Sequence, residues 1–277
     1  MDAGARAALK VMPPRRTALF MASLLGTSLL SLGAWAKDAC KPLYLTFDTG
    51  HMGVAPLVAE VLQRQQVRVT FFAANEATKE GDGSLGAHWA PWWRARAAEG
   101  HAFASHTWSH AYWRADVGGP QAPAFRVRPS AGPREGQTYT LSAAGYCAEI
   151  AQAADRLQQI TGRKPLALFR APGGKTSPAL LAAARSCGWA HVGWSPAGFL
   201  GDELPSERFS NKALLAQALQ RIRSGDILLA HLGIWSRKDA WAPAVLEPLL
   251  VGLKQKGFCF RTLDEHPDYR DWITHTR

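Results

Sequence analysis

This sequence lacks an apolar stretch long enough to cross a bilayer. The run Ala18–Leu32 has about 15 residues, short of the ~20 that a membrane-spanning helix requires. It is poor in acid, with 22 Asp and Glu against 32 Lys and Arg, yet no nucleic-acid-binding motif accompanies the resulting charge of +10. Cysteine is scarce: Cys40, Cys147, Cys187 and Cys259 are the whole complement, and their spacing fits no zinc knuckle. There is no internal repeat, which argues against solenoids and propellers. With 47% hydrophobic and 19% charged residues the chain is neither disordered nor fibrous, and 277 residues suffice for one sizeable core.

The first 36 residues read as a signal peptide. Lys10, Arg15 and Arg16 form a basic start, the short apolar run follows, and Ala34-Trp35-Ala36 fits the small-x-small rule for cleavage. Arg15-Arg16 also permits a twin-arginine reading. The expected mature protein is a single domain, 37–277, periplasmic or secreted, without a membrane span and monomeric. Cleavage removes four basic residues and one acidic residue, so the charge falls from +10 to +7. Such a surface suits anionic envelope polymers, or is simply a solvated basic face. An oxidising compartment permits disulfides.

Beyond residue 40, short apolar runs alternate with helical patterns. Strands are expected at 43–48, 68–73, 101–105, 166–169, 189–194, 226–230 and 258–262. Helices are expected at 54–64, 91–99, 142–160, 178–186, 211–223 and 241–256. Strict alternation implies an α/β protein with a parallel sheet of about seven strands, most simply a closed or nearly closed barrel. Such a barrel would bring Cys40, before the first strand, to Cys259 in the last, and Cys147 and Cys187 lie on successive helices; these are the expected disulfides. The proline- and glycine-rich stretch 117–140 interrupts the rhythm and reads as a long loop, either functional or a solvated insertion.

In α/β barrels, catalytic groups stand at the carboxyl ends of strands. Asp48 ends the first strand, His106 and His110 follow the third, Arg170 follows the fourth and His231 the sixth. Residues four apart on a helical turn face the same way, so His106 and His110 suit a divalent metal. Asp48 would take a proton from a water, Arg170 would hold Asp48 ionised, and His231 would protonate a leaving amine. Singly, each has a bland reading as surface decoration, an ion pair or a satisfied histidine; together they point to one face.

These blocks resemble the polysaccharide deacetylases with a NodB homology domain, carbohydrate esterase family four. The likeness runs from Leu43 to Leu263 in the family's order: Thr46-Phe47-Asp48-x-Gly50, Glu99-Gly100-His101, His106-Thr107-x-x-His110, Thr161-Gly162, Arg170-x-Pro172-x-Gly174, Leu229-x-His231 and Lys256-Gly257-Phe258. The resemblance implies a distorted (β/α)7-8 barrel and metal-dependent hydrolysis of N-acetyl groups on the amino sugars of peptidoglycan or a poly-N-acetylglucosamine-like glycan. Asp48, His231 and Arg170 would be catalytic and His106 and His110 metal ligands. The metal would be zinc, with cobalt or nickel as alternatives. Leu229 would line the acetyl pocket, and the Gly173 backbone N–H would help stabilise the oxyanion.

Three positions depart from the pattern. Thr49 stands where the family usually carries a second Asp as third metal ligand, which weakens the metal site; His51 is a nearby substitute, or a loop residue facing solvent. Gly173 replaces an aromatic residue. The Asp-x-x-Asp-Trp block is not recognisable in 194–199, and Asp202 is a candidate to take over the tuning of His231. Trp89, Trp92, Trp93, Trp108, Trp113 and Trp235 are candidate sugar platforms or packing residues. The alternatives are an esterase or small cyclic-amide hydrolase on the same barrel, and a degenerate glycan-binding module.

Overall fold

The computed structural model describes residues 40–276; the expected signal peptide, 1–36, lies outside them. In chain order the elements are β1 (Lys41–Asp48), α1 (Ala55–Arg64), β2 (Thr70–Ala73), α2 (Ala90–Ala98) and β3 (Ala102–Ser105). Next come β4 (Ala111–Val117), β5 (Ala124–Pro129), β6 (Tyr139–Ser142), α3 (Ala143–Thr161), β7 (Leu168–Phe169) and α4 (Pro178–Ser186). The chain continues through β8 (Ala190–His191), α5 (Asn211–Arg221), β9 (Ile227–His231), α6 (Leu246–Gln255), β10 (Phe258–Phe260) and α7 (Pro267–His275).

Seven strands form the parallel sheet, hydrogen-bonded in the order β10-β1-β2-β3-β7-β8, with β9 also paired to β1. The last six residues of β1 are all buried, as a strand covered on both faces requires. β10 pairs with the first residues of β1, while β2 and β9 flank its last ones. The ladders do not close a full circle. From β8 an irregular segment crosses the gap, and Phe199 bridges to Leu229 of β9 with Gly198 O accepting from Leu229 N at 2.8 Å. The result is a distorted (β/α) barrel of seven strands, two of them only two residues long.

Three helices begin at the serine their sequences offer, whereas α6 starts at Leu246, five residues after the expected 241. Ser142, Ser177 and Ser210 each cap a helix by accepting from the backbone N–H three residues on. Among the described residues no helix is long and apolar enough to cross a membrane. Both expected disulfides, Cys40–Cys259 and Cys147–Cys187, are present.

The stretch 117–140 is not a loop. With residues 111–116 and 141–142 it builds the separate antiparallel sheet β4-β5-β6. Phe125, Val127 and Pro129 are buried and alternate with exposed Arg126 and Arg128, a period-two pattern that the flanking prolines and glycines obscured. Phe125 and Val127 pack on Tyr146 and Ile150 of α3 and Leu180 of α4, which fixes this sheet to the barrel frame.

Candidate active site

Strand registers bring the chemical groups together. Asp48 pairs with His231 across β1 and β9 and with Phe72 across β1 and β2. Ser105, before His106, pairs with both Ala73 and Phe169, the latter preceding Arg170. Asp48, His106, His110, Gly173, Leu229 and His231 all line one cavity of about 380 Å³. Arg170 lies beneath it, fully buried.

Four of the five N–H groups of the Arg170 guanidinium have acceptors. Nη1 donates to Asp48 Oδ1 at 2.7 Å and to the Thr46 hydroxyl at 2.9 Å; Nε and Nη2 donate to the carbonyls of Val192 and Gly193. Burial pushes the Asp48 carboxyl up, but Arg170, with His106 and His231, outweighs it and the net shift is downward. Asp48 is therefore an ionised base held rigidly by one oxygen, and its Oδ2 lies 3.4 Å from His106 Nε2.

His106 and His110 converge, on a tight turn rather than the helical turn expected. Thr107 and His110 take left-handed φ values of 63° and 51°, conformations that cost energy in residues with a Cβ and concentrate at functional sites. The Thr107 hydroxyl steadies the turn by accepting from Ala111 N–H at 2.8 Å. His106 Nδ1 donates to the Arg170 carbonyl at 2.8 Å, which leaves the Nε2 lone pair aimed into the site. Burial, only partly opposed by Asp48, pulls the His106 pKa down to about 4, so the ring is neutral at physiological pH.

The two Nε2 atoms stand 3.2 Å apart. Two nitrogens bound at 2.0–2.1 Å in a tetrahedral centre would be separated by about 3.3 Å. The imidazole pair thus fits a shared divalent ion. Among the described residues no group of three or more His, Cys, Asp or Glu side chains stands ready to hold a metal ion. His51 does not replace the ligand missing at Thr49: its Nδ1 accepts from Gly53 N–H at 2.9 Å and its ring packs edge-on to Trp235.

His231 and Asp202 make a second pair. His231 Nδ1 donates to the Asp202 carboxylate at 3.1 Å, and the same carboxylate accepts from the His231 backbone N–H at 2.6 Å. Burial pushes the imidazole down, but Asp202 overrides it and the pKa rises to about 9. His231 is therefore protonated at neutral pH, and it lines the cavity with Nδ1 committed to Asp202. The tuning role expected of Asp202 has its geometric basis here, although no recognisable block marked it in the sequence.

Gly173 has φ +62°, and a Cβ built there would stand 2.8 Å from Tyr112 Cε1. The ring missing at position 173 is thus supplied from β4: Tyr112 fills the space and lines the cavity. Of the six tryptophans considered as platforms, only Trp235, 65% exposed, lines the cavity. Trp89, Trp92, Trp93 and Trp108 pack in or against the core, and Trp113 belongs to the cluster under the small sheet.

Sequence reasoning missed Glu76, Tyr112 and Ser130. Glu76 follows β2 by three residues, and the strand-end criterion applied to β2 would have found it. Its Oε2 accepts from the Thr49 hydroxyl at 2.5 Å and from Gly50 N–H at 2.7 Å. Burial pushes its carboxyl up, and His110, the Thr49 hydroxyl and the more distant imidazoles bring it net downward. Ser130 places its hydroxyl 2.5 Å from His110 Nδ1.

A family model described as polysaccharide deacetylase matches residues 36–192. A chitooligosaccharide deacetylase of Azorhizobium caulinodans is 27% identical over 248 residues, covering 85% of this chain and 99% of that protein. A peptidoglycan-N-acetylmuramic acid deacetylase of Bacillus subtilis is 24% identical over 226 residues, covering 81% and 71%. Among solved structures, a family 4 acetyl xylan esterase from Clostridium thermocellum, in complex with a cobalt ion, superposes with a TM-score of 0.64 at 22% identity, covering 86% of this chain and 97% of that one.

Proposed function

Because the chain belongs to the polysaccharide deacetylases, hydrolases of N-acetyl amide bonds, we propose that it removes acetyl groups from the amino sugars of an envelope or exported glycan in a metal-dependent reaction. Peptidoglycan and poly-N-acetylglucosamine-like polymers are the substrates of choice. Residues 37–277 act as one exported catalytic domain after loss of 1–36. The observation that carries this reading is the pairing, in one cavity, of a carboxylate kept ionised by Arg170 with an imidazole kept protonated by Asp202. A base and an acid with pKa values driven apart are what amide hydrolysis requires.

His106 and His110 would hold a divalent ion, zinc in the first instance, which when bound would polarise the acetyl carbonyl and acidify a water. Asp48 accepts the proton of that water through Oδ2, Oδ1 being committed to Arg170. We assign the Gly173 N–H as donor to the developing oxyanion and Leu229, 3% exposed at the cavity wall, as the surface for the acetyl methyl. His231 delivers its proton to the departing amine, which could not otherwise leave as a neutral group. Trp235 and Tyr112 flank the opening as surfaces for sugar rings.

The test is acetate release from acetylated chito-oligomers, peptidoglycan fragments and acetylated xylan, with zinc, cobalt and nickel each supplied. Release from the amino-sugar polymers that stops on chelation supports the proposal. Release from xylan alone would replace it with an esterase, and tight glycan binding without release would replace it with a binding module.

A further inference from the structure

We infer that Glu76 supplies the carboxylate ligand that position 49 lacks, completing a two-histidine, one-glutamate metal centre with His106 and His110. The inference rests on the metal-dependent reading above. Glu76 arrives from the carboxyl end of β2, the strand whose last residues pair with both Asp48 and Ser105. Its Oε2 accepts the Thr49 hydroxyl at 2.5 Å, so the carboxylate begins where the threonine side chain stops. The Gly50 N–H, at 2.7 Å, clamps the same oxygen. Thr49 in turn accepts from Ala74 N–H at 3.1 Å, which ties the start of the Glu76 loop to the end of β1.

Its other oxygen is the informative one. Oε1 accepts no hydrogen bond among the described residues and lies 3.7 Å from His110 Nδ1, too far to orient that ring. Ser130 already partners that nitrogen. Glu76 lines the cavity beside Asp48 and both histidines, its side chain 16% exposed, and no Lys or Arg among the described residues pairs with it. With one oxygen clamped and the other open to the cavity beside two imidazoles, this carboxylate is placed to meet a cation. Two imidazoles and one carboxylate are a recognised catalytic zinc set that keeps an open position for water.

The experiment measures metal affinity and the visible spectrum of the cobalt-substituted protein, neither of which depends on turnover. Glu76→Gln should weaken zinc binding at least about tenfold, the scale seen when even supporting partners of a ligand are lost, and should change the cobalt d–d bands. The double variant Thr49→Asp/Glu76→Gln should restore affinity by returning the carboxylate to position 49. Should Glu76→Gln fold poorly by near-ultraviolet circular dichroism, Glu76→His keeps a ligand at the site and should retain the metal. Unchanged affinity and spectrum in Glu76→Gln overturn the inference while leaving the hydrolase reading intact. Weakened binding with unchanged bands and no recovery in the double variant also overturns it, since Glu76 would then act only through loop shape. A wild-type protein that takes up no metal overturns both.

Discussion

Replacing Asp202 with asparagine removes a charge while keeping a group that can accept from the His231 backbone and ring. In the native protein His231 sits near pKa 9, against an ordinary value of 6.5, because Asp202 outweighs burial. Without the carboxylate, the imidazole should return to about 6.5 or below, a loss of about 2.5 units or roughly 3 kcal/mol of preference for the protonated form. If the protonated ring is the acid, the rate follows its protonated fraction. At pH 8 that fraction falls from about nine tenths to about 3%, a loss on the order of 30-fold, whereas at pH 6 the loss is under about twofold. Acetate release measured from pH 5 to 10 should show the basic limb moving from near 9 to near or below 6.5. The same shift has a stability consequence. A folded pKa raised above the unfolded one contributes stability fully present below pH 6.5 and lost as pH climbs through 9, so wild-type thermal melts should fall over that window and Asp202→Asn melts should not. Superimposable pH–rate profiles for the two proteins would refute the assignment of His231 as the acid.

Asp48→Asn removes the base and leaves the Arg170 cation buried without its partner. It should lower kcat by about 10²–10⁴ and destabilise the fold by about 3–5 kcal/mol, read by acetate release and by urea unfolding. Removing Cys40–Cys259 by double serine substitution should destabilise more than removing Cys147–Cys187. The chain separations of 219 and 40 residues differ by about 1.5 kcal/mol of loop-closure entropy, and paired denaturant curves test the order. Gly173→Ala forces a Cβ into a left-handed backbone and against Tyr112; a stability loss of about 1–2 kcal/mol and at least about a tenfold fall in kcat are expected. Tyr112→Ala in that background should relieve the contact but not the backbone strain, so kcat should stay low.

The parallel sheet was legible because β1, β2, β3 and β9 are short apolar runs, three of them ending in a polar residue, and the alternation with helices is regular. Asp48, Arg170 and His231 were readable for the same reason: each terminates or directly follows a strand. Three things were not readable. The small sheet was hidden because Pro123, Pro129 and Pro133 and the neighbouring glycines dominate its composition, while the buried face of β5 rests on Phe125, Val127 and Pro129 alone. α7 was missed because it is short and mostly polar, with Ile273 its only fully buried residue. Glu76 escaped because a glutamate in a polar loop looks like solvent exposure. Its environment is set by Thr49 and His110, 27 residues upstream and 34 downstream, which only the folded sheet brings alongside.

The β4-β5-β6 sheet has a consequence beyond architecture. It joins the frame at His110 and at Ser142, the cap of α3, and it sends Tyr112 and Ser130 to the rim of the cavity without contributing the acid or the base. Tyr112, one of the aromatic residues lining the cavity, therefore stands on a different sheet from Asp48 and His231. Such a division lets one wall of the cavity vary with the small sheet while the parallel strands that hold Asp48 and His231 stay as they are, provided that the Ser130 contact to His110 is kept.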